Sequence, residues 1–273
     1  MIEKFTNTTI TISGSTAEAY FYQGKSIVYD FVIPEKDRVK KSKILVIDEE
    51  SKLRKIESRR KGMHRARSTL RRLISANAWK WKKEDGKLYL PVFVTFTFRE
   101  NIKDIKTANQ LFSMFIKRLN YYVGHEKKSF LKYVVVTEFQ VRGAIHFHTI
   151  FFNLEFIWKS KIEELWGLGY AKIKSIESVS NVGAYICKYM SKEFEDERLD
   201  GKKRYFSSRG LSKPIVIKNQ KDARSIISKI PKELIVSEKE FDSQHLGKVK
   251  YVQYQIDKER SFVDVVPELE HFV

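Results

Sequence analysis

An α+β fold, an antiparallel sheet with helices packed on it, is predicted by two features of this sequence. Apolar, β-branched and aromatic residues run with strand character through Lys87–Phe98, Leu131–Gln140, Gly143–Phe152 and Tyr170–Ile176. Helical periodicity falls between them, at Lys103–Val123 and Ser160–Leu168. The resulting order, β-α-β-β-α-β, is ferredoxin-like. A basic N-terminal extension and a small C-terminal extension flank it, dividing the chain into 1–88, 89–200 and 201–273. At 273 residues, 42% of them hydrophobic, the chain can bury a sizeable core as one large domain or two small ones.

Each element has a local reason. Thr8–Ser13 alternates, and Ser26–Ile33 is apolar and β-branched, so both read as strands. Between them Ala19-Tyr-Phe-Tyr-Gln-Gly-Lys-Ser26 superficially matches a phosphate-binding loop. Its bulky interior cannot wrap a phosphate, and a strand follows where a helix is needed, so that reading is rejected. Lys43–Ile47 is a further short strand. Glu49 to about Asn77 reads as a long helix: Leu53, Ile56, Met63, Leu70 and Ile74 form an apolar stripe, and Arg59, Lys61, Arg65, Arg67, Arg71 and Arg72 fall mostly outside it. Such a helix either lies on a phosphate backbone or packs with a charged outer face. Trp79 and Trp81, beside Lys80, Lys82 and Lys83, either stack on unpaired bases or belong to the core.

Pro91–Phe98 is a strong strand with Thr95 and Thr97 on one face. In the helix Lys103–Val123, Leu111, Phe112, Phe115, Ile116 and Leu119 point inward. Asn181–Lys192 is predicted helical with Ser178 or Ser180 as its cap. Tyr185, Lys188, Tyr189 and Lys192 stand at i, i+3, i+4 and i+7, so they share a face, with Val182, Ile186 and Met190 beside it. Farther on, Ser207–Pro214 reads as a loop, Ile215–Ile217 as a strand, Asp222–Ile230 as a helix, Lys248–Ile256 as a strand and Glu268–Val273 as a loose tail.

The chemistry concentrates in Gly143-Ala-Ile-His146-Phe-His148-Thr-Ile-Phe-Phe152. Strand side chains alternate, so His146 and His148 share one face. Val141-Arg142-Gly143 makes a three-residue hairpin loop with Gly143 suited to a left-handed conformation. That register sets Gln140 opposite Ala144 and Glu138 opposite His146, with paired Cβ atoms roughly 5 Å apart. A carboxylate with two imidazoles suits Mg²⁺ or Mn²⁺, with positions left for phosphate oxygens or water. The alternative is a pair of histidines bonded within the core.

Net charge is +18, and residues 36–83 hold 18 Lys/Arg against 5 Asp/Glu. The clustering points to a polyanion, most simply nucleic acid. The single cysteine, Cys187, excludes an internal disulfide framework and fits a reducing cytoplasm. With no charged-then-apolar leader and no apolar run near 18 residues, neither export nor membrane spanning is expected.

Three segments in order carry a family resemblance: the hydrophobic, threonine-bearing strand Val94–Phe98, His146-Phe147-His148, and Tyr185-Ile-Cys-Lys188-Tyr189-Met-Ser-Lys192. The chain resembles the HUH endonucleases, specifically rolling-circle replication initiators of plasmids and single-stranded DNA phages of the two-tyrosine type. The resemblance covers roughly residues 90–195. It implies the HUH endonuclease fold and nicking of one DNA strand through a 5′-phosphotyrosine. Tyr185 and/or Tyr189 would be the nucleophile, Lys188 a phosphate-positioning group, and Glu138, His146 and His148 the ligands of Mg²⁺ or Mn²⁺. The expected partners are single-stranded or hairpin origin DNA, a DNA polymerase, and a separate helicase, since no nucleotide-binding loop is found. Arg65, Arg67, Arg71, Arg72, Lys80, Lys82 and Lys192 are the candidate DNA-binding cations. A related transposase and a non-catalytic basic DNA-binding protein are the competing readings.

Overall fold

A computed structural model describes residues 4–28, 49–124, 129–140, 142–176, 181–189, 198, 202–243 and 246–272. Ten strands form two five-stranded antiparallel sheets. In chain order the elements are β1 (Lys4–Ser13), β2 (Thr16–Val28), α1 (Glu49–Ser75), β3 (Val92–Phe98), α2 (Ile105–Gly124), β4 (Tyr133–Phe139), β5 (Ile145–Phe151), α3 (Lys159–Trp166), β6 (Gly169–Ser175) and α4 (Val182–Tyr189). There follow β7 (Tyr205–Ser207), β8 (Ile215–Ile217), α5 (Gln220–Lys229), β9 (Ile235–Ser243), β10 (Gly247–Gln255) and α6 (Phe262–Val265).

The first sheet runs β6-β3-β5-β4-β7. Its first four strands have the ferredoxin-like order expected from the sequence, and β7, not anticipated, extends the edge beside β4. The two faces divide the work. On one, α2 and α3 close over Phe96, Phe98, Phe147 and Phe151; Phe112, Phe115 and Trp166 interleave with them at centroid distances such as 5.1 Å for Phe96–Trp166 and Phe112–Phe147. Tilted and edge-on ring pairs of this kind add to the stabilisation from burial. On the other face Phe93, Val134, Val136 and Ile150 meet Leu70 and Ile74 of α1 and Val182, Ile186 and Cys187 of α4. Ile56, assigned to the same stripe of α1, is 51% exposed, so only the C-terminal half of that helix is packed.

The second sheet, β8-β1-β2-β10-β9, joins strands from both ends of the chain. Its core face, with Ile10, Ala19 and Val252, packs on Ala223 and Ile226 of α5 and Phe262 of α6. β2 runs straight through Ala19–Ser26, in keeping with rejection of a phosphate-binding loop there. β9 was not expected, and the supposed loose tail is a 3₁₀ turn at Pro267–Phe272 that buries Leu269. Residues 29–33 of the expected strand, the strand Lys43–Ile47, and the caps Ser178 and Ser180 lie outside the described residues. Asn181 caps α4 instead: its side-chain oxygen accepts from the Ala184 amide at 2.9 Å. No helix among the described residues is long and apolar enough to cross a membrane.

Between the sheets stands α1. Arg71 Nη2 and Arg72 Nε donate to the two oxygens of Glu18 on β2, at 2.5 Å and 2.7 Å, while Leu70 and Ile74 pack under the first sheet.

Candidate active site

The hairpin β4–β5 fixes the site. Glu138 pairs with His146, Gly143 takes φ +87°, and the Gln140 amide donates to the Ala144 carbonyl at 2.8 Å. This is the register that alternation and loop length predict. On the other flank of β5, Thr97 pairs with His146 and Thr95 with His148. Both histidines, Glu138, Thr95 and Thr97 therefore sit on the α1/α4 face of the sheet.

His148 is gripped from three sides. Its Nδ1 lies 3.1 Å from Thr95 Oγ1, its Nε2 meets Glu138 Oε2, and its ring stacks on Phe93 with centroids 5.9 Å apart and planes 3° from parallel. His146 is 9% exposed, and its Nε2 is buried without a hydrogen-bond partner. Leaving such a nitrogen unpaired costs about 1–3 kcal/mol. Burial pushes the His146 imidazole below the usual histidine range. The pull of the Glu138 charge opposes this, and His148 and Arg142 reinforce it. His146 is therefore held as a neutral imidazole, the form that ligates metals. Among the described residues no three His, Cys, Asp or Glu side chains already enclose an ion position; Glu138 instead contacts His148 directly. The donor set, an orphaned imidazole nitrogen beside a second imidazole and a carboxylate on one rigid hairpin, nevertheless fits a divalent cation.

The tyrosine helix shares this face. Tyr185 on α4 is half-buried against the cluster that contains Phe93, and Lys174 Nζ of β6 stands 5.2 Å from the centre of its ring. Lys174 pairs with Phe93, which in turn stacks on His148. The Tyr185 ring therefore lies against β6, with β3 between it and the histidine strand. Gly183 makes this approach possible: a Cβ there would collide with Ser75 Oγ and the Arg71 carbonyl oxygen of α1. Lys188 and Tyr189 belong to α4, but their side chains, like Lys192 altogether, lie outside the described residues.

Cations line both edges of the face. On β6, Tyr170, Lys172 and Lys174 alternate toward it, and Lys172 pairs with Thr95. Neither lysine stood out in the sequence, because a Lys-x-Lys strand edge looks like ordinary solvated surface until its register is known. At the opposite edge a cleft of about 880 Å³ opens between α1 and β7, lined by Arg59, Met63, Lys202, Lys203, Arg204 and Tyr205. Of the cations expected to meet DNA, Arg65, Arg67, Lys80 and Lys82 are exposed. Lys80 contacts Ser212 Oγ, and Arg71 and Arg72 are bound to Glu18. Trp79 is buried and Trp81 partly so; Lys258 and Lys132 cover their rings at 4.6 Å and 5.3 Å.

Residues 91–194 match the family model of the ORF2-type replication-associated proteins. The matched segment runs from the start of β3 past the end of α4, so it holds the paired threonines, both histidines, Glu138 and Tyr185. The match supports a replication initiator and with it a DNA-binding role. The second sheet lies outside the replication-associated segment. No curated protein and no solved structure matches the chain.

Proposed function

We propose that the chain is a site-specific nicking and joining endonuclease that acts on single-stranded or hairpin origin DNA to initiate rolling-circle replication. The observation that carries this reading is the shared face. Glu138, His148 and the unpartnered Nε2 of His146 lie on the same side of one sheet as the Tyr185 helix. Glu138, His146 and His148 would hold Mg²⁺ or Mn²⁺, which when bound supplies Lewis-acid polarisation of a phosphate oxygen.

The chain's own residues do the rest. The Tyr185 hydroxyl attacks the scissile phosphorus, the bond from phosphorus to the 3′ oxygen breaks, and that oxygen leaves as a 3′-OH. The 5′ phosphate remains on the phenol. A phenol is a poor nucleophile at its ordinary pKa of ~10, so it needs a cationic setting. Lys174 lies against the Tyr185 ring, and Lys188, one helical turn on, is suited to stabilise phenolate or phosphate charge. The cations of both edges hold the strand across the face. Because the phosphotyrosine conserves the bond, the same groups run the joining step in reverse. Tyr189, on the same helix, would serve as second nucleophile, with Tyr185 making the first cut. A separate helicase and a DNA polymerase would complete replication.

The test uses end-labelled single-stranded origin oligonucleotide with Mn²⁺ and follows the covalent adduct by mass spectrometry. Tyr185→Phe and Tyr189→Phe are each expected to reduce adduct, and the double variant to abolish it. Adduct persisting in the double variant would remove the assignment, and salt-dependent binding with no cleavage would leave a basic DNA-binding protein.

A further inference from the structure

The second sheet has one face committed to its core and another that carries rings. Register across β9, β10, β2 and β1 places Lys239, Tyr251, Tyr20 and Thr9 in one rung and Phe241, Val249 and Tyr22 in the next. Tyr20 and Tyr251 lie 5.0 Å apart at 55°, and Tyr20 and Tyr22 lie 6.4 Å apart and 12° from parallel. Their hydroxyls are anchored. Tyr251 donates to Glu18 Oε1 at 2.9 Å, Arg72 Nη2 donates to Tyr20 Oη at 3.2 Å, and Tyr22 Oη shares a hydrogen bond with Thr9 Oγ1 at 3.0 Å. The rings are thus held in place with their polar ends satisfied, none of them is fully buried, and Phe241 is 49% exposed.

Two further observations identify the kind of occupant. Edge strand β9 is sorted by charge: Glu238, Glu240 and Asp242 turn to the opposite face, where Glu238 pairs with Lys250 at 3.4 Å, while Lys239 and Phe241 join the tyrosines. An edge strand that merely faces solvent has no need of that sorting. In addition, α1 leaves the same face at Arg71 and Arg72, and earlier turns on that side of the helix carry exposed Arg60, Lys61, His64 and Arg65. Aromatic rings on a sheet flanked by cations, with acids directed away, suit unpaired bases and their phosphates. Duplex DNA offers no base faces to stack.

We propose that this face is a second contact for single-stranded DNA, outside the replication-associated segment, where bases stack on Tyr20, Tyr22, Tyr251 and Phe241 and the backbone follows Lys239 and α1. It rests on the single-stranded substrate proposed above and extends that substrate's path to the second sheet.

The experiment measures fluorescence anisotropy of labelled thirty-nucleotide oligothymidine with the full chain, Tyr22→Phe, and the double variant Tyr22→Ala/Phe241→Ala. Loss of base stacking is expected to weaken binding by about tenfold or more in the double variant. Tyr22→Phe should bind like the parent, and the nicking rate at saturating origin oligonucleotide should be unchanged. A folded double variant that binds within twofold of the parent overturns the proposal, as does Tyr22→Phe losing as much as the double variant. Independently, photocrosslinking of 5-iodouridine oligonucleotide to the unaltered chain should label β2, β9 or β10; crosslinks confined to 91–194 overturn it. If nicking is absent altogether, the endonuclease reading falls while binding and crosslinking still decide this one.

Discussion

Replacing Glu18 with Gln tests the joint between the two sheets. The Glu18 side chain is 2% exposed, while those of its partners Arg71 and Arg72 are 21% and 23% exposed. Removing one partner of a buried ion pair costs about 3–5 kcal/mol. The partial exposure of both guanidiniums puts this case at the lower end, about 3 kcal/mol. At roughly 2–4 °C per kcal/mol for a chain of this size, Tm should fall by about 6–12 °C at pH 7. Burial alone would raise the Glu18 carboxyl. The Arg71 and Arg72 charges and their hydrogen bonds outweigh it and hold the pKa below the ordinary value of 4.5. Folding therefore favours the ionised carboxylate. Its stabilisation is complete above the unfolded pKa and is lost as pH falls through the lower folded value. Thermal melts of parent and Glu18→Gln should show a constant gap from pH 8 to 6 that closes in acid below pH 4.5. A gap under 2 °C at pH 7, or one that persists undiminished at pH 3, would refute the reasoning.

Removal of the proposed ligands and of the helix contact gives further checks. His146→Ala and Glu138→Ala should each lower nicking by at least about 100-fold and abolish any Mn²⁺-dependent rise in Tm, while oligonucleotide affinity stays within a few-fold. Chelation with EDTA should stop nicking without releasing DNA. Gly183→Val forces a side chain into Ser75 and Arg71 of α1, so it should lower Tm by several degrees and reduce adduct formation although no ligand changes. Cys187 is 1% exposed and burial pushes its thiol up to about 11, so iodoacetamide should leave it intact at pH 7.5 and label it fully in guanidinium.

Some elements were legible in the sequence because their causes are local. Glu138 opposite His146 followed from a short loop, a glycine at positive φ and strict alternation, all within ten residues. The edge strands had no such signal. In β9, Ser-Glu-Lys-Glu-Phe-Asp is mostly exposed and carries charge on alternate residues, so its strand state comes from pairing with β10 and not from apolar alternation. β7 has three residues and exists because β4 offers it an edge. Strands β1, β2, β8 and β10 had visible or partly visible strand character. That the two ends of the chain would pair into one sheet is a long-range fact with no local cause. The approach of Lys174 to Tyr185 is hidden for the same reason, since it depends on how close α4 can come to α1.

Helix α1 therefore has a role that its basic composition concealed. Its apolar stripe covers the face carrying the histidines, and Ser75 and Arg71 at its C-terminal end form the surface on which Gly183 seats α4. Two of its arginines are not available as simple phosphate contacts, because they clamp the tyrosine-bearing sheet through Glu18. The exposed cations that remain, Arg60, Lys61, Arg65 and Arg67, lie along the N-terminal half that leaves the core. The helix is thus a strut at one end and a cationic arm at the other. Neutralising the arm should weaken DNA binding and reduce its salt dependence without changing Tm, whereas cutting the strut at Glu18 should change Tm first.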